Sequence, residues 1–122
     1  GSLTTQSTVL NKTQYSFGSR FESGIGTNPE ELIGAAHAGC FTMKLSFGLN
    51  EAGFTAKNID TNAVVSFDSE KGKITDIHLD VTAQIDGITD EQFQNIAKDA
   101  KANCPVSLLL NANITMEAHL IP

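Results

Sequence analysis

The chain has 122 residues, with fourteen acidic side chains against eight basic ones and a formal net charge of −6. This length suits a single domain, residues 1–122, with one apolar core that needs no disulfide or metal to hold it together. The negative charge argues against a surface that binds nucleic acid or anionic lipid, so neither is expected as a partner.

The start of the chain shows no basic stretch followed by an apolar run, so no secretory signal is visible and a reducing, cytoplasmic setting is expected. A loop is predicted over about residues 18 to 28, because this stretch holds three of the ten glycines and a Ser-Gly pair. The same stretch carries Arg20, the only arginine in the chain.

A long helix is predicted to begin at residues 27–31. Thr27 and Asn28 are cap candidates, Pro29 suits the first helical position, and two acidic residues follow where the positive helix end favours them. The helix should run to Ala52, where Gly53 is a natural stop. Such a helix is about 36 Å long, which matches the full width of so small a domain.

Apolar and small residues cover nearly all sides of this helix, which predicts a buried central helix. A membrane span is the alternative, but the capping signals and the polar residues argue against it. Those residues are His37, Lys44, Asn50 and Glu51. A helix buried on all sides in so short a chain indicates that a second subunit supplies part of its cover.

Two strands are predicted next, over Ile59 to Phe67 and Ile74 to Ile85, joined by a polar turn as an antiparallel hairpin. The second strand alternates apolar and polar residues, so one face should pack on a core and the other should meet solvent.

A second, amphipathic helix opens at Thr89 with a capping-box pattern. Cys104 and Pro105 break it and restart it, because proline disfavours a helical residue before it but suits a new helix start. Alternation from Ile114 to Leu120 predicts a closing strand. The predicted fold class is therefore α+β.

The two cysteines can form one disulfide at most and lack the C-x-x-C spacing of zinc sites and thioredoxin-like motifs. Cys40 lies near the middle of the long helix, where the helix dipole gives a thiolate little support. Cys104 lies just ahead of a helix start, so local physics favours it as the more activated thiol. The simpler alternative is that each cysteine is a small buried hydrophobe.

A reactive Cys40 needs a cation, and Arg20 is the leading candidate. Glu30 could hold the guanidinium in a bidentate ion pair, although it could also be simply a first-turn helix acid. Lys44, four residues beyond Cys40, is another candidate, unless its side chain extends to solvent. His37, one turn before Cys40, could accept a proton or could be hydrogen-bonded in place as a structural residue.

No metal site is expected, because His37 and the other two histidines, His78 and His119, are widely spaced. His78 and His119 also fall on the solvent side of their predicted strands.

Several motifs resemble the OsmC/Ohr family of organic hydroperoxide reductases, over nearly the whole chain. They are Thr-Asn-Pro-Glu-Glu-Leu-Ile-Gly-Ala-Ala-His-Ala-Gly-Cys-Phe at residues 27–41, Glu-Ala-Gly-Phe at 51–54, Ala-Asn-Cys-Pro-Val-Ser at 102–107 and Phe-Gly-Ser-Arg-Phe-Glu at 17–22. The His-Ala-Gly-Cys wording is similar to the osmotically inducible protein C branch.

This resemblance implies a thiol-dependent peroxidase that reduces organic hydroperoxides through a Cys40 sulfenic acid and a Cys40–Cys104 disulfide. It implies that Arg20 activates the Cys40 thiolate and that Glu30 holds Arg20, which reverses the local preference for Cys104. No metal, haem or flavin cofactor is implied. An external dithiol of lipoyl or thioredoxin type is needed for recycling.

The resemblance also implies an OsmC-like fold, with antiparallel β-sheets around the long central helix, in an intertwined homodimer. Family members commonly have a longer N-terminus that forms strands, so these strands are expected to be short or absent here. The functional alternative is a non-catalytic redox sensor or ligand-binding dimer that uses the same cysteines.

Overall fold

A computed structural model describes all 122 residues. In chain order, its elements are β1 (Ser2–Leu3), β2 (Thr13–Gln14), α1 (Phe17–Phe21), α2 (Pro29–Glu51), β3 (Ala56–Asp68), β4 (Lys73–Ile85), α3 (Asp90–Asn103), α4 (Pro105–Leu109) and β5 (Asn113–Ile121). The predicted α+β class is confirmed. The chain divides into two compact units, residues 1–33 and residues 34–122, and the single domain stays a prediction.

In the first unit, β1 and β2 form an antiparallel pair of two residues each. The loop predicted over about residues 18 to 28 is wrong over residues 18–21, which belong to α1. Ser16 and Ser19 make a reciprocal capping box there, with the Ser16 side chain accepting from the Ser19 N–H and the Ser19 side chain accepting from the Ser16 N–H. The glycines and serines were interpreted as loop formers, but this pair of caps stabilises one helical turn.

The start and end of α2 confirm the predicted caps. The side-chain Oδ1 of Asn28 accepts a hydrogen bond from the N–H of Glu31 at 2.8 Å. The backbone carbonyl of Asn28 accepts one from the N–H of Leu32 at 3.1 Å. Beyond the last residue, Glu51, Gly53 adopts a φ of +91°, the left-handed conformation that favours glycine after a helix.

In the second unit, β3, β4 and β5 form one sheet with β4 in the centre. The hairpin of β3 and β4 is antiparallel as predicted, with Ala63 opposite Leu79. The expectation of purely antiparallel sheets is wrong at the other pairing, where β5 lies parallel to β4 with Ile77 opposite Ile114. The physical reason is the crossover through α3 and α4, which returns the chain to the same end of the sheet.

The core of the second unit lies between one face of this sheet and the helices. The alternation predicted for β4 is confirmed, because its buried residues are every second one. On α2, the hydroxyl of Thr42 lies 2.6 Å from that of Thr61 on β3, and Gly48 leaves space for Ile96 on α3. The core side chains are Phe41, Leu45, Leu49, Ile77, Leu79, Val81, Ala83, Ile85, Phe93, Ala97, Ala100 and Cys104.

The single chain covers only one side of α2, and the cover predicted from a second subunit stays a prediction. Only one stripe of the helix is buried, and Met43 and Phe47 on the opposite side are 75% and 58% exposed. The reason is that one chain supplies one sheet face and one packing helix, which cover one side of α2. None of the helices combines the length and apolar character that a bilayer crossing requires.

Candidate redox site

Cys40 lies in the middle of α2, half-buried, at the edge of the stripe that packs on the core. It lines a groove of about 640 Å³ with mostly apolar walls. The remaining lining residues are Ala35, Ala36, Gly39, Met43, Lys44, Phe47 and Pro105. A molecule with an apolar body can therefore reach this thiol from solvent.

Cys104 is fully buried at the joint between α3 and α4, where the break predicted from Pro105 is present. It ends α3, with its N–H donating to the carbonyl of Ala100 at 2.9 Å, and it is the N-cap of α4. The backbone N–H groups of Val106 and Ser107 donate to its sulfur, because they are unpaired donors of the first turn of α4.

The fold brings Cys40 and Cys104 close enough for each thiol to shift the pKa of the other, and both are free. Burial raises the pKa of Cys40, and its bond to Cys104 raises that pKa further. Burial also raises the pKa of Cys104, but the donors around its sulfur outweigh this effect, so its net pKa is lowered. The donors around Cys104 therefore favour its thiolate, whereas the surroundings of Cys40 favour its neutral thiol.

Arg20 and Glu30 form an ion pair within residues 1–33. Nη2 of Arg20 donates to Oε1 of Glu30 at 2.8 Å, and Nε donates to Oε1 at 3.1 Å and to Oε2 at 3.2 Å. Burial raises the pKa of Glu30, but the hydrogen bonds from Arg20 more than offset this and hold it below its usual value of 4.5. The carboxylate is thus ionised at neutral pH and fixes the orientation of the guanidinium.

Aromatic side chains surround Arg20 in the same unit. Its guanidinium carbon lies 5.1 Å from the centroid of the Phe21 ring, within the range of a cation–π contact. A cavity of about 350 Å³ is lined by Arg20 together with Tyr15, Phe17 and Phe21. The cation therefore faces an environment that suits an apolar molecule with one polar group.

His37 is fully buried on α2, and its Nε2 lies 2.8 Å from Oγ of Ser107 on α4. The structural alternative for His37, a histidine hydrogen-bonded in place, matches this contact. Ser107 carries no role among the residues predicted from the sequence. Its position in the sequence is the signal for a role. Ser107 follows Cys104 by three residues, in the first turn of a new helix, where its hydroxyl faces the N-cap residue.

Three candidates remain, Lys44, His78 and His119, and each makes its contacts with residues other than the two cysteines. Nζ of Lys44 lies 5.8 Å from the centroid of the Phe47 ring, on the wall of the groove. His78 and His119 lie on the partly exposed face of the sheet, near Glu117. No group of three or more His, Cys, Asp or Glu side chains is arranged to hold a metal ion.

Comparisons with known proteins agree on one family. A family model described as OsmC-like protein matches residues 22–119. The chain is 51% identical to the peroxiredoxin OsmC of Escherichia coli K12, over 98% of this chain and 85% of that protein. It is equally similar to the peroxiredoxin OsmC of Shigella flexneri, with the same identity and coverage.

Solved structures confirm the OsmC-like fold. An OsmC-like protein from Mycoplasma pneumoniae matches with a TM-score of 0.75 at 12% identity, covering 86% of this chain and 79% of the other. A Legionella pneumophila protein described as organic hydroperoxide resistance protein OsmC matches at 0.72 with 21% identity, covering 98% and 87%. OhrB of Bacillus subtilis, an organic hydroperoxide resistance protein, matches at 0.67 with 22% identity, covering 97% and 87%.

Proposed function

Because this chain belongs to the OsmC family and is a peroxiredoxin-like enzyme, we propose that it reduces organic hydroperoxides to alcohols, with Cys40 as the attacking thiol and Cys104 as the resolving thiol. The observation that carries the proposal is the pair of neighbouring free thiols, of which one lines an apolar groove and the other is fully buried.

Access decides which thiol attacks. Cys104 has the lower pKa of the two, but it is fully buried, whereas Cys40 is half-buried in the wall of the groove. A peroxide can approach only a sulfur that it can contact. The hydrogen bond between the thiols lets the proton of Cys40 pass to Cys104, which leaves the thiolate on the accessible sulfur.

In the first step, the Cys40 thiolate attacks the terminal oxygen of the hydroperoxide. The S–O bond forms as the O–O bond breaks, so that Cys40 becomes a sulfenic acid, and the leaving alkoxide takes the proton that Cys104 had received from Cys40, which gives the alcohol and a Cys104 thiolate. In the second step, Cys104 attacks that sulfur. The S–S bond forms, the S–O bond breaks, and water is released.

An external dithiol completes the cycle. Two electrons from a lipoyl-type or thioredoxin-type dithiol reduce the Cys40–Cys104 disulfide by thiol–disulfide exchange, and the dithiol leaves as a disulfide. Cys40 is the sulfur that this reductant attacks, because Cys104 is buried.

Arg20 and Glu30 are proposed to support the first step, as the family resemblance implies. A guanidinium close to a thiol favours the thiolate and stabilises the charge that develops on the leaving oxygen. The ion pair with Glu30 supports this role, since it holds the guanidinium in one orientation before the substrate arrives.

The apolar walls of the groove support an alkyl or fatty-acid hydroperoxide as the substrate, in preference to hydrogen peroxide. Each methylene removed from water contributes about 0.8 kcal/mol, so a longer alkyl chain gains affinity that hydrogen peroxide lacks. Met43 and Phe47 supply flexible and aromatic surface on this wall.

A homodimer is also proposed. Its support is the outer side of α2, where Met43 and Phe47 are largely exposed in the single chain and a second copy would remove them from water. The molar mass of the purified chain in solution tests this, and a monomer at micromolar concentration would refute it.

The test of the function compares Cys40→Ser with Cys104→Ser in a coupled assay with tert-butyl hydroperoxide and a dithiol. Cys40→Ser should abolish turnover, because no thiolate remains in the groove. Cys104→Ser should consume one equivalent of peroxide and then stop with a sulfenic acid on Cys40, detected as a mass increase of one oxygen. Undiminished turnover by Cys40→Ser would refute the proposal. Disulfide formation without recycling would favour the redox-sensor alternative.

A further inference from the structure

His37 and Ser107 form a buried polar contact that the peroxidase steps above do not use. The His37 ring is fully buried, and its Nε2 lies 2.8 Å from Oγ of Ser107, while its Nδ1 is buried with no hydrogen-bond partner. A buried polar atom without a partner carries a desolvation cost. The presence of such an atom in His37, one turn before Cys40, therefore requires a physical reason.

Ser107 connects this histidine to Cys104. Ser107 lies in the first turn of α4, three residues after the N-cap Cys104, and its backbone N–H and hydroxyl both help to lower the pKa of that thiol. A hydroxyl has one proton, so an oxygen that directs its proton at the sulfur must accept at its other contact. In that arrangement the proton of the imidazole lies on Nε2 and the lone pair on Nδ1.

We propose that His37 and Ser107 are positioning residues for the disulfide-forming step, in which the imidazole N–H holds the Ser107 hydroxyl so that it donates to the sulfur of Cys104. This inference rests on the proposed function, since it assigns Cys104 as the resolving thiol. Its new content is a hydrogen-bonded chain from Nε2 of His37 through Oγ of Ser107 to Sγ of Cys104.

The chain of hydrogen bonds stabilises the resolving thiolate once Cys104 has given up its proton and the sulfenic acid has formed on Cys40. The Cys104 thiolate attacks the sulfur of the Cys40 sulfenic acid, the S–S bond forms, and hydroxide leaves as the S–O bond breaks. The hydroxide takes up the proton that Cys104 released on ionising, so the products are a disulfide and one water. His37 gains and loses no proton in this step.

A donor role suits His37 better than a role as a base. Burial lowers the pKa of His37, so the neutral ring is favoured and a charged imidazolium is disfavoured. A neutral ring with its proton on Nε2 can direct the hydroxyl, whereas a ring that had to accept a proton would become a buried cation.

The helices α2 and α3 carry further titratable groups, none of which differs between the variants of His37 and Ser107. They are Glu30, Glu31, Cys40, Lys44 and Glu51 on α2 and Asp90, Glu91, Lys98, Asp99 and Lys101 on α3. Differences between such variants therefore report the hydrogen-bonded chain, and not a change in nearby charge.

The decisive experiment titrates Cys104 in a Cys40→Ser background by the ultraviolet absorbance of the thiolate, without any peroxide. Adding Ser107→Ala should raise the pKa of Cys104 by roughly one pH unit, since a hydrogen bond to a charged group is lost. Adding His37→Leu should raise it by roughly half as much, because the hydroxyl is still present but no longer oriented. Adding His37→Gln should restore most of the difference, because its amide can donate from a similar position.

A second measurement follows single turnover in the chain with both cysteines. Ser107→Ala and His37→Leu should slow disulfide formation by about tenfold, and by more than they change the rate of Cys40 oxidation. An unchanged titration of Cys104 in the Ser107→Ala variant would overturn the inference, even if His37→Leu failed to fold. If peroxide never oxidises the parent chain, the proposed function fails, but the titration still decides whether the hydrogen-bonded chain exists.

Discussion

The surroundings of Cys40 and Cys104 differ in two properties that a peroxidase must combine. The middle of α2 places Cys40 beside open apolar space, but it offers few donors for a thiolate. The joint of α3 and α4 gives Cys104 several donors, but it excludes solvent. The difference shows that access and acidity are divided between the two sulfurs, which lie close enough for each to shift the pKa of the other.

Selective alkylation tests the difference in access between Cys40 and Cys104 most directly. In the native protein, iodoacetamide should modify Cys40 about a hundredfold faster than Cys104, because Cys104 reacts only after a local opening. At about 1.4 kcal/mol per tenfold, this ratio corresponds to an opening cost of about 2.8 kcal/mol. Peptide mass analysis after timed labelling measures both rates, with the unfolded protein as the control. Faster labelling of Cys104 would mean that acidity, and not access, decides which thiol reacts.

Glu30→Gln is expected to affect the reaction of Cys40 and not that of Cys104. This change removes the negative partner of Arg20 but keeps a side chain of the same size, so the guanidinium loses its fixed orientation. Stopped-flow measurement should show Cys40 oxidation about tenfold slower and disulfide formation unchanged, since a misoriented charge costs roughly 1.4 kcal/mol of activation. A variant that slows the disulfide step instead would assign the ion pair to Cys104.

The smallest expected effect is on stability in acid. The pKa of Glu30 is lowered in the folded chain, so its ion pair stabilises the fold at pH values above the usual 4.5 and ceases to do so as the pH falls through the lower, folded value. Urea unfolding of the parent chain and of Glu30→Gln should therefore differ by roughly 1 kcal/mol near pH 7. The free energies of unfolding of the two chains should become equal as the pH falls below the folded pKa of Glu30. A difference that persists at pH 2 would show that Glu30→Gln acts through packing instead.

The local features of this protein were determined by short stretches of sequence. Asn28 and Pro29 set the start of α2, the alternation in β4 set its buried face, and Pro105 set the break after Cys104. Each depends on residues a few positions apart, whose hydrogen bonds and periodicity are visible in the sequence. The capping box of α1 was local too, but a stretch rich in glycine and serine concealed it.

Only the tertiary structure decided how these elements meet. The parallel pairing of β5 with β4, the contact of Cys40 with Cys104, and the bond of His37 to Ser107 across 70 positions all join distant parts of the chain. The physical reason is that periodicity specifies which face of an element is apolar but not which element covers it. That choice depends on the packing of the whole core, and it places a buried thiol behind an accessible one.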